Sequence, residues 1–485
     1  MPDNHSRRQV LRGLCKAGAT SMALATPVYL SGAAHSDEIN TVPVQKSPAV
    51  LVRGHPDARL LSAGYNGRFE AIPDARIMCQ TPQHVEAALN YVRSENLPFS
   101  VRSGGHCFAG LSQSNSVAID VRNMNSIRVD KKQGTITAGA GATLGQAHRA
   151  AAQEGLLLSA GWCSDVGLSG QVLGSGIGFT SRFGGLLCDR MQEMTMVDAQ
   201  GQIVHANKDE NEDLLWASRG GGGSLGVLSE VVISLDELLQ TSSFSLVRRY
   251  SSDEGAKVFA RWQTLSTEVD RSITSHCSFY GYPNNQIILI FAGQAVGNHA
   301  KLSAYLHELL GEKKQIKSNE FVSGALLSVL EGQVLRSMKG SLPLHAKSHF
   351  LNDIMSAEAC GELVEEFNQH PYGSVFVTFE TLGGAVSEVG NAETAYPHRH
   401  AKFLVQSSVQ PKNIDEQPVH LNGLKAVSRL LDKHSSGGAY VNYRDRELPG
   451  WANAYWGENL PRLVAIKSKY DPKNIFRHAQ SIPLG

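Results

Sequence analysis

Seven cysteines are present (Cys15, Cys79, Cys107, Cys163, Cys188, Cys277 and Cys360), yet no C-x-x-C pair occurs. Their spacing fits no zinc site, and no metal is expected. The body of the chain has no concentrated block of lysine and arginine, and 45 basic residues offset 45 acidic ones. The charge footprint of a nucleic-acid binder is therefore missing. No internal repeat of about 20–50 residues appears, which excludes solenoids and propellers. Forty-seven glycines occur without a collagen period or a low-complexity tract. What is present is a 485-residue chain, long enough for two or three domains. With 42% hydrophobic and 19% charged residues it can bury a sizeable core.

The N-terminus carries the sharpest shift in composition. Ser6-Arg7-Arg8-Gln9-Val10-Leu11 is followed by Arg12 and Lys16, then by an acid-free, mildly apolar run from Ala17 to Leu30 that ends in Ser31-Gly32-Ala33-Ala34. That is the layout of an export signal, and the arginine pair resembles the twin-arginine type. A membrane anchor is the alternative, but the run is short and weakly apolar for a span. Residues 1–34 are set aside as a leader that engages the twin-arginine export machinery. The mature protein is then expected in the periplasm or outside the cell, with no stable membrane association. Because such substrates fold before export, no disulfide is assumed.

Residues 40–238 read as alternating short strands and helices. Pro82–Val92 has apolar residues at helical spacing behind Thr81, a suitable N-cap. Phe99–Arg102, Val117–Val121, Ile127–Asp130, Thr135–Gly141 and Ser229–Leu235 read as strands. From 239 to 439 glycine clusters thin out and longer strands appear, such as Gln286–Ala292 and Ser374–Glu380. Helices are predicted around Ala256–Leu265, His299–Leu310 and Ala357–Asn368. This second region reads as α+β. Residues 440–485 turn aromatic and Gly/Asn-rich again and close on a basic amphipathic helix, Asn459–Lys469.

Three glycine-rich stretches lie within 125 residues: Arg102-Ser103-Gly104-Gly105-His106, Gly161 to Gly178, and Arg219-Gly220-Gly221-Gly222-Gly223-Ser224-Leu225-Gly226. Successive glycines let backbone N–H groups close around an anion. The third contains G-x-x-x-x-G without the Lys-Ser/Thr of a P-loop, and no strand–GxGxxG–helix unit supports a Rossmann domain. Each stretch alone is an ordinary tight turn. Three together favour a long diphosphate ligand wrapped by several loops.

The ordered set resembles the berberine-bridge-enzyme-like branch of the vanillyl-alcohol-oxidase/PCMH flavoprotein superfamily over nearly the whole mature chain. Arg102–Gly110 (RSGGHCFAG) resembles the loop whose histidine bonds the 8α-methyl of FAD. Cys163-Ser164-Asp165-Val166-Gly167 resembles the loop whose cysteine bonds flavin C6. Asp213–Gly222 resembles a third FAD segment. Tyr440-Val441-Asn442-Tyr443-Arg444-Asp445 and Tyr470–Phe476 resemble the C-terminal signature that returns to the FAD domain.

The resemblance implies an α+β fold. A PCMH-type FAD-binding domain of two α/β subdomains (40–238, completed by 440–485) would join a substrate domain at 239–439 whose antiparallel sheet is covered by helices. It implies FAD held twice, through His106 and Cys163, with Arg102, Ser103, Gly104, Gly105, Cys107, Gly110, Val166, Gly167, Gly170, Gln171, Gly174, Gly176, Gly178, Gly226, Val227, Tyr440 and Asn442 around it. Considered alone, His106 would be a structural histidine and Cys163 an inert thiol.

For chemistry, the resemblance implies hydride transfer from an alcohol or carbohydrate hydroxyl. Tyr443 would be the base, oriented by Tyr440 and Asn442 and assisted by Glu380. Tyrosine is a poor base unless neighbours stabilise its phenolate, so cationic groups near Tyr443 are expected. The alternative for 440–443 is a strand whose alternate residues face opposite ways. Gln406 stands where the ring-closing members place a glutamate base, which argues against that reaction. Val166 suggests molecular oxygen as acceptor and hydrogen peroxide as product. Gln171 departs from the histidine of many relatives and cannot carry its charge. Other readings are a flavin dehydrogenase, a secondary-metabolite tailoring oxidase, or a non-catalytic flavin holder.

Overall fold

The computed structural model describes residues 46–237, 240–297, 299–311, 321–324, 342–371 and 373–485. The leader expected at 1–34 lies outside the described residues.

The glycine loops hang from two small sheets. The first has strands β1 (Ala49–Val52), β2 (Ala75–Met78), β3 (Phe99–Arg102) and β4 (Val117–Asp120) in the order β1-β2-β4-β3. β4 runs parallel to β2 and β3. Helix α1 (Pro82–Ser94) makes the crossover between β2 and β3. It starts at Thr81, whose hydroxyl accepts the His84 N–H, with Pro82 in the first turn. A cap of this kind contributes about 1 kcal/mol. Its buried face is Val85, Ala88, Leu89 and Val92.

The second sheet is antiparallel. It comprises β5 (Ile127–Asp130), β6 (Thr135–Gly139), β8 (Met191–Val197), β9 (Ile203–Ala206) and β10 (Val227–Ser234) in the order β5-β6-β10-β8-β9, with the two-residue β7 (Leu156–Leu157) and β11 (Asp236–Glu237) paired beside it. Helix α2 (Leu144–Gln153) opens on a capping box between Thr143 and Gln146. One continuous apolar core joins both sheets to residues of the C-terminal segment, among them Val441, Trp456, Leu463 and Phe476.

A seven-stranded antiparallel sheet forms the remainder. In chain order its strands are β12 (Thr241–Ser251), β13 (Ile273–Tyr282), β14 (Gln286–Val296), β15 (Phe321–Gly324), β16 (His345–Leu351), β17 (Phe376–Thr381) and β18 (Phe403–Val409). In space they run β15-β12-β14-β13-β17-β18-β16. Alternation along the strands divides the two faces. Cys277, Phe279, Phe291, Val377, Phe379, Phe403 and Val405 are buried beneath helices α3 (Ser252–Glu268), α4 (His299–Leu310), α5 (Ala357–Asn368) and α6 (Gln417–Asp432). The opposite face carries His276, Ser278, Thr378, Glu380 and Gln406. The fold is the α+β arrangement expected: two α/β units and an antiparallel sheet covered by helices on one side.

Two buried cations tie the large sheet to the smaller ones. Arg182 donates to the carbonyls of Ile273 (3.1 Å), Leu382 (2.8 Å) and Val269 (2.7 Å). Arg399 forms a two-pronged pair with Asp189 at 2.8 and 2.6 Å. The closing helix α7 (Leu460–Tyr470) is held by buried Lys467, which donates to Ser224 O (2.7 Å), Asp471 Oδ2 (2.6 Å) and Phe476 O (2.9 Å). The contact with Ser224 O fixes α7 against the third glycine loop.

Candidate active site

A cavity of about 910 Å³ opens between the glycine loops and the polar face of the large sheet. Its size suits a dinucleotide-sized ligand. The first two glycine loops meet back to back at its wall. A Cβ on Gly104 would collide with the Gly167 backbone nitrogen, and one on Gly167 would lie 2.6 Å from Gly104 N. Only residues without a side chain allow this approach. Gly170 and Gly223 also line the cavity, and a Cβ on either would meet nothing within 4 Å. They leave space that a ligand can fill. The helical turn Leu168–Leu173 starts at Gly167 with no side-chain cap; its first N–H, of Leu168, donates to Ala142 O (2.9 Å), and those of Ser169 and Gly170 are the next two in the uncapped turn. His106 and Cys163 both face the same cavity. These features fit FAD.

Of the expected cofactor residues, Ser103, Gly104, Gly105, His106, Cys107, Cys163, Val166, Gly167, Gly170, Gln171, Gly226, Val227, Tyr440 and Asn442 line the cavity. Arg102, Gly110, Gly174, Gly176 and Gly178 do not, and each has a structural task behind the wall. Arg102 is buried and donates to Ala63 O (2.5 Å). Burial, with Arg122 beside it, lowers its pKa to about 10. Gly110 has φ +65° against the Phe69 ring. Gly174 abuts the Asn442 amide, Gly176 abuts Leu187, and Gly178 abuts the Ala160 carbonyl.

Gln171 accepts the Gly161 N–H on Oε1 (3.0 Å), which leaves its NH₂ end as the donor available to a ligand. Tyr440 Oη is a fixed acceptor, reached by the N–H groups of Gly176 and Ile177 and by Asn442 Nδ2, each at 3.2 Å. Residues 440–443 form a turn, closed by Tyr443 N–H to Tyr440 O (2.9 Å), and the strand alternative is not found. The turn places both phenol rings on the cavity side at 81° to each other, with centroids 4.9 Å apart.

Tyr443 donates to Glu380 Oε1 at 2.9 Å. Glu380 is 1% exposed, and its second oxygen has no hydrogen-bond partner among the described residues. Burial pushes the Glu380 carboxyl up to about 8, drawn back only by the Tyr443 hydrogen bond. Burial also raises Tyr443 well above the usual phenol range, and the Glu380 charge adds to the shift. The expected cationic neighbour is therefore corrected. The groups bearing on Tyr443 are Glu380, Tyr440 and Cys163, and all oppose a free phenolate. Gln406 lies on the same sheet face, since it pairs with Thr378, two residues from Glu380.

Sequence reasoning missed the aromatic walls. Tyr65 stacks on His106 (4.5 Å, 17°) and on Phe108 (5.4 Å), and Phe108 stacks on Tyr443 (5.1 Å, 6°). Across the cavity, Phe179 lies 4.6 Å from Trp162 and 4.5 Å from His276. Burial lowers His276 to about 3, so it is neutral, and its Nε2 has no hydrogen-bond partner among the described residues. The available signal was the alternation of His276 and Ser278 with Cys277 and Phe279, which marks a strand with one polar face.

Residues 73–207 match the FAD binding domain family, and 439–483 match the family described as berberine and berberine like. The chain is 30% identical over 446 residues to the uncharacterized FAD-linked oxidoreductase YgaK of Bacillus subtilis (strain 168), covering 90% of this chain and 96% of that one. It is 26% identical to reticuline oxidase of Eschscholzia californica, covering 85% and 83%. The solved structure of berberine bridge enzyme from the same plant superimposes with a TM-score of 0.84 at 23% identity, covering 98% of this chain and 99% of that one.

Proposed function

The chain belongs to the berberine-bridge-enzyme-like FAD-linked oxidases of the vanillyl-alcohol-oxidase/PCMH superfamily, and from that premise we propose that it oxidises an alcohol or sugar hydroxyl. In this reading FAD is attached through both His106 and Cys163, and dioxygen is the electron acceptor, giving hydrogen peroxide. FAD, when bound, supplies the hydride acceptor.

The observation that carries the alcohol reading is the Tyr443–Glu380 pair on the cavity face. A hydroxyl losing hydride must also lose its proton. A free Tyr443 phenolate is disfavoured on both burial and charge. The pair avoids it: Tyr443 Oη takes the substrate proton while its own proton passes to Glu380. A carboxylate held near 8 is a stronger base than an ordinary one, and its ionised form accepts from Tyr443. Gln406 and neutral His276 can bond the substrate without competing for the proton. Val166, beside Cys163 on the cavity wall, favours dioxygen as acceptor. Folding before twin-arginine export suits a protein that acquires its flavin in the cytoplasm.

Tyr443→Phe keeps the ring stack on Phe108 and removes the proton path. It is expected to lower kcat by about 10²–10⁴-fold while FAD stays bound. A variant with unchanged turnover on an alcohol that the wild type oxidises would remove Tyr443 from the reaction. Oxygen uptake equal to substrate consumed supports the oxidase; dye reduction without oxygen uptake marks a dehydrogenase.

A further inference from the structure

The second glycine loop carries a carboxylate between its two flavin-facing elements. Asp165 Oδ1 lies 3.4 Å from His106 Nε2, with both side chains mostly shielded from solvent at 19% and 14% exposure. Tyr65 stacks on the imidazole at 4.5 Å and 17°, which fixes the plane of the ring. A carboxylate at Nε2 favours the tautomer with the proton there and leaves Nδ1 with its lone pair. Only an unprotonated ring nitrogen can bond to carbon. The same Asp165 acts oppositely on its neighbour two residues back. Burial, then the Asp165 charge, push the Cys163 thiol up to about 12, and a thiol that stays protonated is a poor nucleophile.

We propose that Asp165 is a positioning residue for cofactor attachment: it presents Nδ1 of His106 to the 8α carbon of FAD, so that the histidine bond forms before the cysteine bond. This rests on the reading that His106 and Cys163 are both attachment points. As the Nδ1–C8α bond forms, the 8α-methyl gives up one C–H proton and the imidazole gives up its Nε2 proton to Asp165. The electron pair of the broken C–H bond stays on the flavin ring. Dioxygen then takes that pair with two protons and leaves as hydrogen peroxide. After the bond has formed, the carboxylate has no further covalent role.

The test follows attachment rather than turnover. Full-length apoprotein from riboflavin-starved cells is mixed with FAD in air, quenched in acid at intervals, and weighed intact by mass spectrometry. Cys163→Ala isolates the histidine bond, and His106→Ala isolates the cysteine bond. Asp165→Asn is then added to each. The expected result is histidine attachment slowed at least tenfold, and cysteine attachment unchanged or faster. Equal slowing of both bonds would mean that Asp165 only supports the loop, and unchanged histidine attachment would mean that it does not position His106; either overturns the proposal. If Cys163→Ala gains no FAD even with Asp165 intact, the covalent reading at His106 itself fails, and the proposal with it. In the wild type, peptides carrying FAD on His106 alone are expected before peptides carrying it on both, and the reverse order contradicts the proposal.

Discussion

Glu380 holds the sharpest pH-dependent consequence at the scale of single residues. Folding raises its pKa from an ordinary 4.5 to about 8, so the native state holds this proton more tightly than the unfolded chain does. The associated stability is fully present below about pH 4.5 and is lost as pH rises through about 8. Glu380→Gln removes that dependence. The Tm of the variant relative to wild type is expected to climb between pH 4.5 and 8 and then level off. Activity moves the other way. Because the ionised carboxylate is the acceptor, kcat of the wild type should rise with pH toward about 8, and Glu380→Gln should lose that limb along with most of its turnover. A flat difference in Tm across this range, or a pH profile shared by both proteins, would contradict the assignment.

Loops and helices make their own predictions at the scale of elements. Gly104 and Gly167 are locked against each other, so Gly104→Ala is expected to cost about 1–3 kcal/mol and to prevent normal FAD uptake. Gly170→Ala, whose Cβ would meet open space, should leave the apoprotein's Tm close to wild type. Calorimetry of the two apoproteins distinguishes them. Lys467 supports the closing helix from inside. Lys467→Ala strands Asp471 as a buried charge facing the Ile475 and Phe476 N–H groups, and urea denaturation should show a loss of roughly 3–5 kcal/mol. Helix positions were legible in the sequence where apolar residues recur at helical spacing. α4 and α5 span the expected residues, and α1 begins behind Thr81 as its N-cap pattern requires. The turn at 440–443 was not legible as such. Its residues alternate as a strand's would, and only the glycine-loop N–H groups gathered on Tyr440 select the turn.

The whole molecule places reactive groups from distant parts of the chain around one cavity. His106 and Cys163 come from the loops between small-sheet elements, Glu380 and His276 from the large sheet, and Tyr443 from the C-terminal segment. Motif order made the cofactor loops recognisable in the sequence, because short glycine-rich segments keep their identity without tertiary context. The aromatic walls were illegible, because Tyr65, Phe108, Trp162 and Phe179 carry no local pattern and meet only after folding. The environment of Tyr443 was misjudged for the same reason: charge near a buried group depends on what the fold brings there.

The account depends most on one FAD being bonded to both His106 and Cys163. The direct measurement is the intact mass of the acid-denatured protein for wild type, His106→Ala, Cys163→Ala and the double variant. The expected result is one FAD on the wild type and on each single variant, and none on the double variant. Wild-type protein without bound FAD mass, or a double variant that retains it, would contradict the account.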